Sequence, residues 1–165
     1  MRRLILLASA FAIAILPGTY SAHAQHGTTC GLTGKATFNP GLTVVPGDNG
    51  FKFKGKLADC MSSGDVTAGT VTAKGKAAGA CEGGTAQGKA LVEWNTEKET
   101  AVKFSTVNVG ALVTLRGKVT KSTEPAFVKG DTVLGELVFE ADPSQCASGL
   151  KKAHFVGQVG GGSPT

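Results

Sequence analysis

Alternation of apolar and polar residues is the dominant pattern along the chain, and it is clearest between Phe51 and Ala58. In this stretch apolar residues and lysines take turns, so they fall on opposite faces of an extended backbone. This period of two is expected of a β-strand with one side buried and the other in water. The pattern recurs and predicts eight main strands, at about residues 30–38, 51–58, 66–76, 85–95, 102–104, 111–120, 133–139 and 153–159.

No stretch shows an apolar period of 3.6 over the length of a helix, and Thr, Val and Gly are abundant. The sequence therefore predicts an all-β fold. We expect Asn39-Pro40-Gly41 to end the first strand, because Pro and Gly interrupt strands. Residues 42–45 can then form a short extra strand before the turn at 46–50.

A glycine lies near the middle of the predicted inward face in seven of the eight strands. Glycine weakens a strand, so this placement needs a cause, and the cause we favour is curvature that lets the sheet close on itself. Eight strands close as an antiparallel up-and-down barrel with the last strand beside the first. A β-sandwich of the same strands is the alternative, because periodicity does not distinguish the two. The glycines are Gly34, Gly55, Gly75, Gly88, Gly117, Gly135 and Gly157.

The four cysteines provide a test of this topology. If successive strands alternate in direction, Cys30 at the start of the first strand and Cys60 at the end of the second lie at one end of the barrel. Cys81 and Cys146 follow the third and seventh strands and lie at the other end. We therefore predict two disulfides, Cys30 with Cys60 and Cys81 with Cys146, worth roughly 3.5 to 4.5 kcal/mol each in the chain-entropy model.

The first 24 residues have the features of a secretory signal peptide: an arginine pair, an apolar run at 4–16 and a small-residue cleavage site ending at Ala24. The apolar run is shorter than the roughly 20 residues that span a bilayer. We predict cleavage after Ala24, one domain at 25–159 and a flexible tail at 160–165. The mature protein is then secreted to the extracellular space or cell wall, with no transmembrane segment and with its cysteines oxidised.

No group of residues in the predicted mature chain has the pattern of a catalytic or metal site. His26 lies near the predicted new N-terminus, and His154 lies on an outward strand face, where it is expected to be solvated. Asp59 and Asp65 share a loop that lacks the regular acidic spacing of a calcium site. The cysteines lack the close pairs of a zinc site. We therefore expect no enzymatic activity, no cofactor and no metal.

Lysines are concentrated on one predicted outer wall, formed by the eighth, first, second and third strands. Such a wall suits an anionic envelope polymer or a lipid surface, although exposed lysines also protect sheet edges from pairing. Nucleic acid is disfavoured, because Arg116 is the one arginine after Ala24 and no exposed aromatic pattern is present to stack bases. The lysines of this wall are Lys35, Lys52, Lys54, Lys56, Lys74, Lys76, Lys151 and Lys152. The net charge after Ala24, with 15 basic and 12 acidic residues, is a modest +3.

Many inward residues are small, so the sequence is compatible with two kinds of barrel interior. Barrels of about eight strands either fill with side chains or hold one small ligand. The lack of inward polar anchors favours a filled interior, packed by the inward phenylalanines and Trp94. Besides the seven glycines, the small inward residues are Ala36, Ala73, Ala86 and Ala90.

A resemblance to known proteins rests on segments that are spread over most of the predicted mature chain. They include Cys30-Gly-Leu-Thr-Gly34, Phe53-Lys-Gly-Lys-Leu-Ala-Asp-Cys60 and Val66-Thr-Ala-Gly-Thr-Val71. With these segments the chain resembles a group of secreted bacterial all-β proteins with no assigned function. The resemblance implies export and an all-β fold, and it implies no active site. We expect a non-enzymatic interaction or structural module of the cell envelope or extracellular space. Its partner is unknown, and a protein is a further candidate besides an anionic polymer or a lipid surface. A carrier of a small hydrophobic ligand is the alternative, and an enzyme of unknown class is a distant third.

Overall fold

The computed structural model describes residues 27–62, 64–142 and 144–162. The predicted signal peptide, its cleavage site and His26 lie outside the described residues. The elements are, in chain order, β1 (Gly27–Leu42), β2 (Gly47–Met61), β3 (Gly69–Ala80), β4 (Gly83–Trp94), β5 (Glu99–Val109), β6 (Leu112–Ser122), β7 (Thr132–Glu140), α1 (Gln145–Ser148) and β8 (Leu150–Gly162). Within these ranges we find no helix with the length and apolar character needed to traverse a lipid bilayer.

The strands form one closed antiparallel sheet in the order β1 to β8, and β8 is hydrogen-bonded to β1. The predicted up-and-down barrel is confirmed, and the sandwich alternative is excluded. The strands are staggered around the barrel. Lys152 on β8 pairs with Thr37 on β1, and the row of paired residues that starts there can be followed strand by strand from β1 to β7. This row returns to β8 at Gly162, ten residues beyond Lys152 (162 minus 152). This stagger tilts the strands, as closure of a sheet requires.

The alternating strand direction gives the barrel two ends. We name them the Trp94 end, where β1, β3, β5 and β7 begin, and the Cys81 end, where β2, β4, β6 and β8 begin. One disulfide joins Cys30 to Cys60 at the Trp94 end, and the other joins Cys81 to Cys146 at the Cys81 end. Both predicted disulfides are confirmed.

The seven mid-strand glycines face the interior, as predicted, and neighbouring strands approach them closely. A Cβ atom built at Gly88 would lie 2.7 Å from the Lys74 carbonyl oxygen, 2.9 Å from Phe104 Cζ and 3.0 Å from Phe51 Cζ. At Gly75 it would lie 2.7 Å from the Cα atom of Gly88 and 2.8 Å from Phe51 Cε1. Any side chain at these positions would therefore force the barrel wall or an aromatic ring to move.

The first strand differs from its prediction. β1 continues through Pro40 to Leu42, so the predicted stop at 39–41 and the extra strand at 42–45 are both wrong. Proline lacks an N–H group and is tolerated where a ladder is interrupted. The pairing of β1 with β8 is interrupted between Thr37 and Leu42, which accommodates Pro40.

The last strand is also longer than predicted. Gly160, Gly161 and Gly162 were expected in a flexible tail, and instead they pair with both β1 and β7. Backbone hydrogen bonds on both sides hold this segment, and they do not require side chains. Only 163–165 of the predicted tail lie outside the described residues.

A loop plugs the Trp94 end. Phe127, in the connection between β6 and β7, stacks on Trp94 with ring centroids 5.1 Å apart and planes inclined by 9°. The indole Nε1–H of Trp94 donates to Thr100 Oγ1 at 2.9 Å, and that oxygen lies 2.8 Å from the Ser122 hydroxyl. The buried Glu124 accepts from the Thr96 hydroxyl at 2.6 Å. The buried polar groups of the plug are thus paired, so hydrogen bonds hold the plug in place together with the ring stacking.

Replacement of Thr100 by Val is expected to lower the free energy of unfolding by about 1–3 kcal/mol, because the buried indole N–H of Trp94 loses its acceptor while shape is kept. Denaturant unfolding followed by Trp94 fluorescence measures this loss. Thr72→Val, on the exposed outer wall, is the matched control and should change stability by less than about 0.5 kcal/mol. Equal effects of the two substitutions would contradict the role of the buried hydrogen bond.

Candidate binding cavity

The barrel encloses a cavity of about 440 Å³ that extends from the middle of the barrel to the Cys81 end. This volume lies within the range of small-molecule sites. The lining is predominantly apolar, and many of its side chains are small. Small lining residues include Ala36, Ala77, Ala86, Ala90 and Ala153. The interior is therefore hollow in this half of the barrel, and the prediction that favoured a filled interior is wrong there.

The aromatic side chains line the cavity and do not fill it. Phe51 illustrates the reason, because its ring edge lies over the backbone at Gly75 and Gly88, in the space that side chains there would occupy. Phe53, on the same strand as Phe51, packs against Phe155 on β8 with ring centroids 4.4 Å apart. The glycines thus allow the rings to lie close to the wall, which leaves room for the cavity.

Two polar side chains project into the cavity near its mouth. Thr106 and Asn108 continue the inward face of β5 beyond Val102 and Phe104, and all four line the cavity. Among the hydrogen bonds of the described residues, none is made by the Thr106 or Asn108 side chain. The sequence prediction missed these two residues because it ended the inward face of the fifth strand at Phe104. The alternation itself continues to the end of the strand and carries the signal.

The Cys81–Cys146 disulfide lies at the mouth of the cavity. Cys81 lies in the turn between β3 and β4, and Cys146 lies in α1, in the connection between β7 and β8. The strand order places these connections on opposite sides of the closed sheet. Both cysteines line the cavity. The disulfide therefore crosses the Cys81 end and restricts the opening.

Exposed apolar side chains lie at two places around the Cys81 end. Val44, in the loop between β1 and β2, lines the cavity and is 60% exposed. Val109 and Leu112 flank the turn between β5 and β6 and are 74% and 47% exposed. Val138 pairs with Leu112 across β6 and β7 and is 45% exposed. The mouth is thus bordered by apolar surface in contact with solvent.

Titratable side chains are sparse at the cavity. Glu82, in the turn between β3 and β4, lies at its rim. No cluster of three or more His, Cys, Asp or Glu side chains that suits a metal ion occurs within 27–62, 64–142 and 144–162. His154 is exposed on the outer wall opposite Glu140. Asp59 and Asp65 are exposed beside the Trp94 end.

One carboxyl group at the Cys81 end has a shifted pKa. Hydrogen bonds from the backbone N–H and the hydroxyl of Ser144 lower the pKa of Asp142 below its ordinary value. The N–H of Ser144 donates to Asp142 Oδ1 at 2.9 Å. This arrangement stabilises the start of the connection that carries Cys146, and it lies outside the cavity lining.

All eight lysines of the predicted basic wall are exposed, and they lie on β8, β1, β2 and β3, which are adjacent in the barrel. The register brings some of them directly opposite one another, as in Lys35 with Lys54 and Lys52 with Lys74. It also adds three lysines that sequence analysis did not include, namely Lys89, Lys103 and Lys118. Their membership depends on cross-strand register, which the sequence pattern does not specify.

In comparisons with known proteins, no family model, no curated protein and no solved structure matches this chain. The resemblance to secreted bacterial all-β proteins stays a prediction. The function is therefore inferred from the geometry of the barrel alone.

Proposed function

We propose that the protein binds one small, elongated and mainly apolar molecule inside the barrel, and acts as a carrier or store of that molecule. The observation that carries this proposal is the 440 Å³ apolar cavity that opens at the Cys81 end. Burial of apolar surface contributes roughly 25 cal/mol per Å². A ligand that fills the cavity removes both its own apolar surface and that of the barrel wall from water.

The polar lining supports a ligand with one polar end. Thr106 and Asn108 offer a hydroxyl and an amide near the mouth, and deeper lining residues such as Val92 and Val102 are apolar. A few polar groups in an apolar pocket fix the orientation of a ligand. The proposed ligand therefore points its polar end toward the Cys81 end and its apolar part toward the plug at Trp94.

The apolar rim of the cavity is consistent with a ligand that enters the barrel from another apolar environment. Val44, Val109 and Leu112 keep apolar side chains in solvent around the mouth. A mouth of this kind shields a ligand during transfer from a membrane or an apolar protein surface. Disulfides are typical of proteins outside the cytoplasm, and we place this carrier in the extracellular space or cell envelope. The carrier is proposed to bind its ligand without transforming it.

Filling the cavity is expected to weaken ligand binding and to change the stability of the barrel only slightly. Ala86→Phe places a large apolar side chain in the cavity, and we expect binding of dodecanol to weaken by at least about tenfold, which corresponds to 1.4 kcal/mol. Titration calorimetry measures the affinity, and apolar burial predicts a negative heat-capacity change for the unmodified protein. Ala58→Phe, at an exposed position on β2, is the matched control and should leave affinity unchanged.

The stability of the same variant gives a second readout. An extra large side chain costs about 1–3 kcal/mol in a packed core, whereas in a hollow interior it should cost less than about 1 kcal/mol or stabilise the barrel by burying apolar surface. The proposal fails if Ala86→Phe binds dodecanol as tightly as the unmodified protein. It also fails if the unmodified protein does not bind dodecanol or any shorter alcohol.

A further inference from the structure

The outer wall carries a continuous row of lysines that crosses five adjacent strands. Each lysine pairs directly with the next in the cross-strand register. Residues opposite one another have Cβ atoms only about 5 Å apart, and like charges in this arrangement repel. We name this row the lysine track. It consists of Lys52, Lys74, Lys89, Lys103 and Lys118, all of them exposed.

Further cations flank the track, and carboxylates do not. One row away on the same outer wall are Lys54, Lys76, Arg116 and Lys121. Neither β3 nor β6 contains an acidic residue. Of the exposed acidic residues on the other three strands, Asp48, Glu93 and Glu99 lie four residues along the strand from the track, roughly 13 Å away, and Asp59 lies farther still.

The lysines of the track also lack ion pairs. The only salt bridge among the described residues joins Lys98 to Glu124 at 3.9 Å, and it belongs to the plug at the Trp94 end. Lysines on exposed sheet edges often serve to prevent edge pairing. That explanation does not apply here, because the barrel is closed and has no sheet edge.

The course of the track decides between partners. β2 and β6 are four strands apart in a barrel of eight, so Lys52 and Lys118 lie on opposite sides. A flat lipid surface touches one side of such a barrel, and duplex DNA is too stiff to bend around it. A flexible linear chain can follow the whole track. All phenylalanines that contact one another in ring pairs lie on the interior side, which leaves little to stack single-stranded bases.

We propose that the lysine track binds a flexible linear polyanion that wraps around half of the barrel. The repeated anionic groups of the chain, either phosphates or carboxylates, contact successive ammonium groups. This binding uses the outer wall and leaves the cavity free, so it is independent of the proposed carrier function. A carrier with such a surface is retained on an anionic polymer while its cavity stays accessible.

The test compares two triple variants of equal net charge. The track variant is Lys74→Gln, Lys89→Gln and Lys103→Gln, and the control variant is Lys56→Gln, Lys129→Gln and Lys151→Gln. Long-chain polyphosphate and polygalacturonate are the probes, with pyrophosphate as a short-chain comparison. The track variant is expected to lose at least about tenfold in affinity at low salt, and the control variant at most about threefold, because contacts with the polymer release its counterions. The logarithm of the binding constant decreases with the logarithm of the salt concentration, and the magnitude of this slope should be smaller by about two in the track variant.

Binding of either polymer with this difference between the variants supports the proposal, and the tighter polymer identifies the anionic group. Equal losses in the two variants would show that net charge alone acts, and would overturn it. Pyrophosphate is too short to follow the track. Equal affinity for pyrophosphate and polyphosphate would therefore contradict the proposal that a long chain wraps around the barrel. Track-dependent binding to phosphatidylglycerol vesicles without binding to either polymer would assign the surface to a membrane instead. Thermal unfolding checks the fold, and the single variant Lys89→Gln serves if the triple variant is unstable.

Discussion

Replacement of Cys81 and Cys146 together by Ala is expected to lower the free energy of unfolding by about 3–4 kcal/mol. The disulfide closes a loop of 65 residues, for which the chain-entropy model gives about 4.3 kcal/mol as an ideal value. Globular domains have a total stability of only about 5–15 kcal/mol. Denaturant unfolding of the oxidised protein and the variant measures the difference.

The second disulfide provides the matched control. Cys30 and Cys60 close a loop of 30 residues, so their replacement by Ala should cost about 0.7 kcal/mol less in the same model. The two pairs should also differ in ligand exchange. The Cys81–Cys146 disulfide crosses the mouth of the cavity, so its removal should speed dissociation of dodecanol, whereas removal of the disulfide at the plugged end should not. Identical exchange rates in the two variants would contradict the placement of the mouth.

Replacement of Gly75 by Ala is expected to destabilise the barrel by about 3 kcal/mol, at the upper end of the usual cost of overpacking. The new Cβ atom would lie 2.7 Å from the Gly88 Cα atom and close to the Gln87 carbonyl oxygen. Both contacts involve backbone, so rotation of the Phe51 ring does not relieve them. Thermal and denaturant unfolding measure the loss.

Gly31→Ala is the control for this substitution. Gly31 also lies within a strand, and a Cβ atom there would meet only the Ala58 carbonyl oxygen at 3.5 Å, an ordinary contact. At an unstrained position Gly→Ala stabilises by about 0.4–1 kcal/mol through the unfolded chain. A similar loss at both positions would mean that strand glycines are intolerant in general, and the close approach of the walls would not be the cause.

The fold was largely predictable from the sequence, because period-two alternation is a local signal. The alternation around Phe51 to Ala58 identifies the inward face of that strand. The glycines on the inward faces of the strands indicate a curved sheet. The disulfide pairing followed from strand direction alone. Strand ends were less predictable, because Pro40 and the glycines at 160–162 lie in segments held by backbone pairing with distant strands. Local turn propensity carries no information about such pairing.

The hollow interior was not predictable in the same way. Whether Phe51 and Phe155 fill the barrel depends on ring direction, and that depends on which glycine lies under each ring across the sheet. Thr106 and Asn108 were missed because the inward face of their strand was not followed to its end. The lysine track was missed in part for a third reason. Lys52 and Lys118 are far apart in sequence, and only the register of four strand pairs aligns them.

The most direct test of a hollow, ligand-binding barrel is the measurement of intermolecular nuclear Overhauser effects between dodecanol and methyl-labelled protein. We predict contacts from the alkyl chain to the methyl groups of Ala90 and Leu137, which line the cavity, and from the carbon that bears the hydroxyl to Thr106. Contacts restricted to Leu134 and Val156, which are 51% and 41% exposed, would contradict binding inside the barrel.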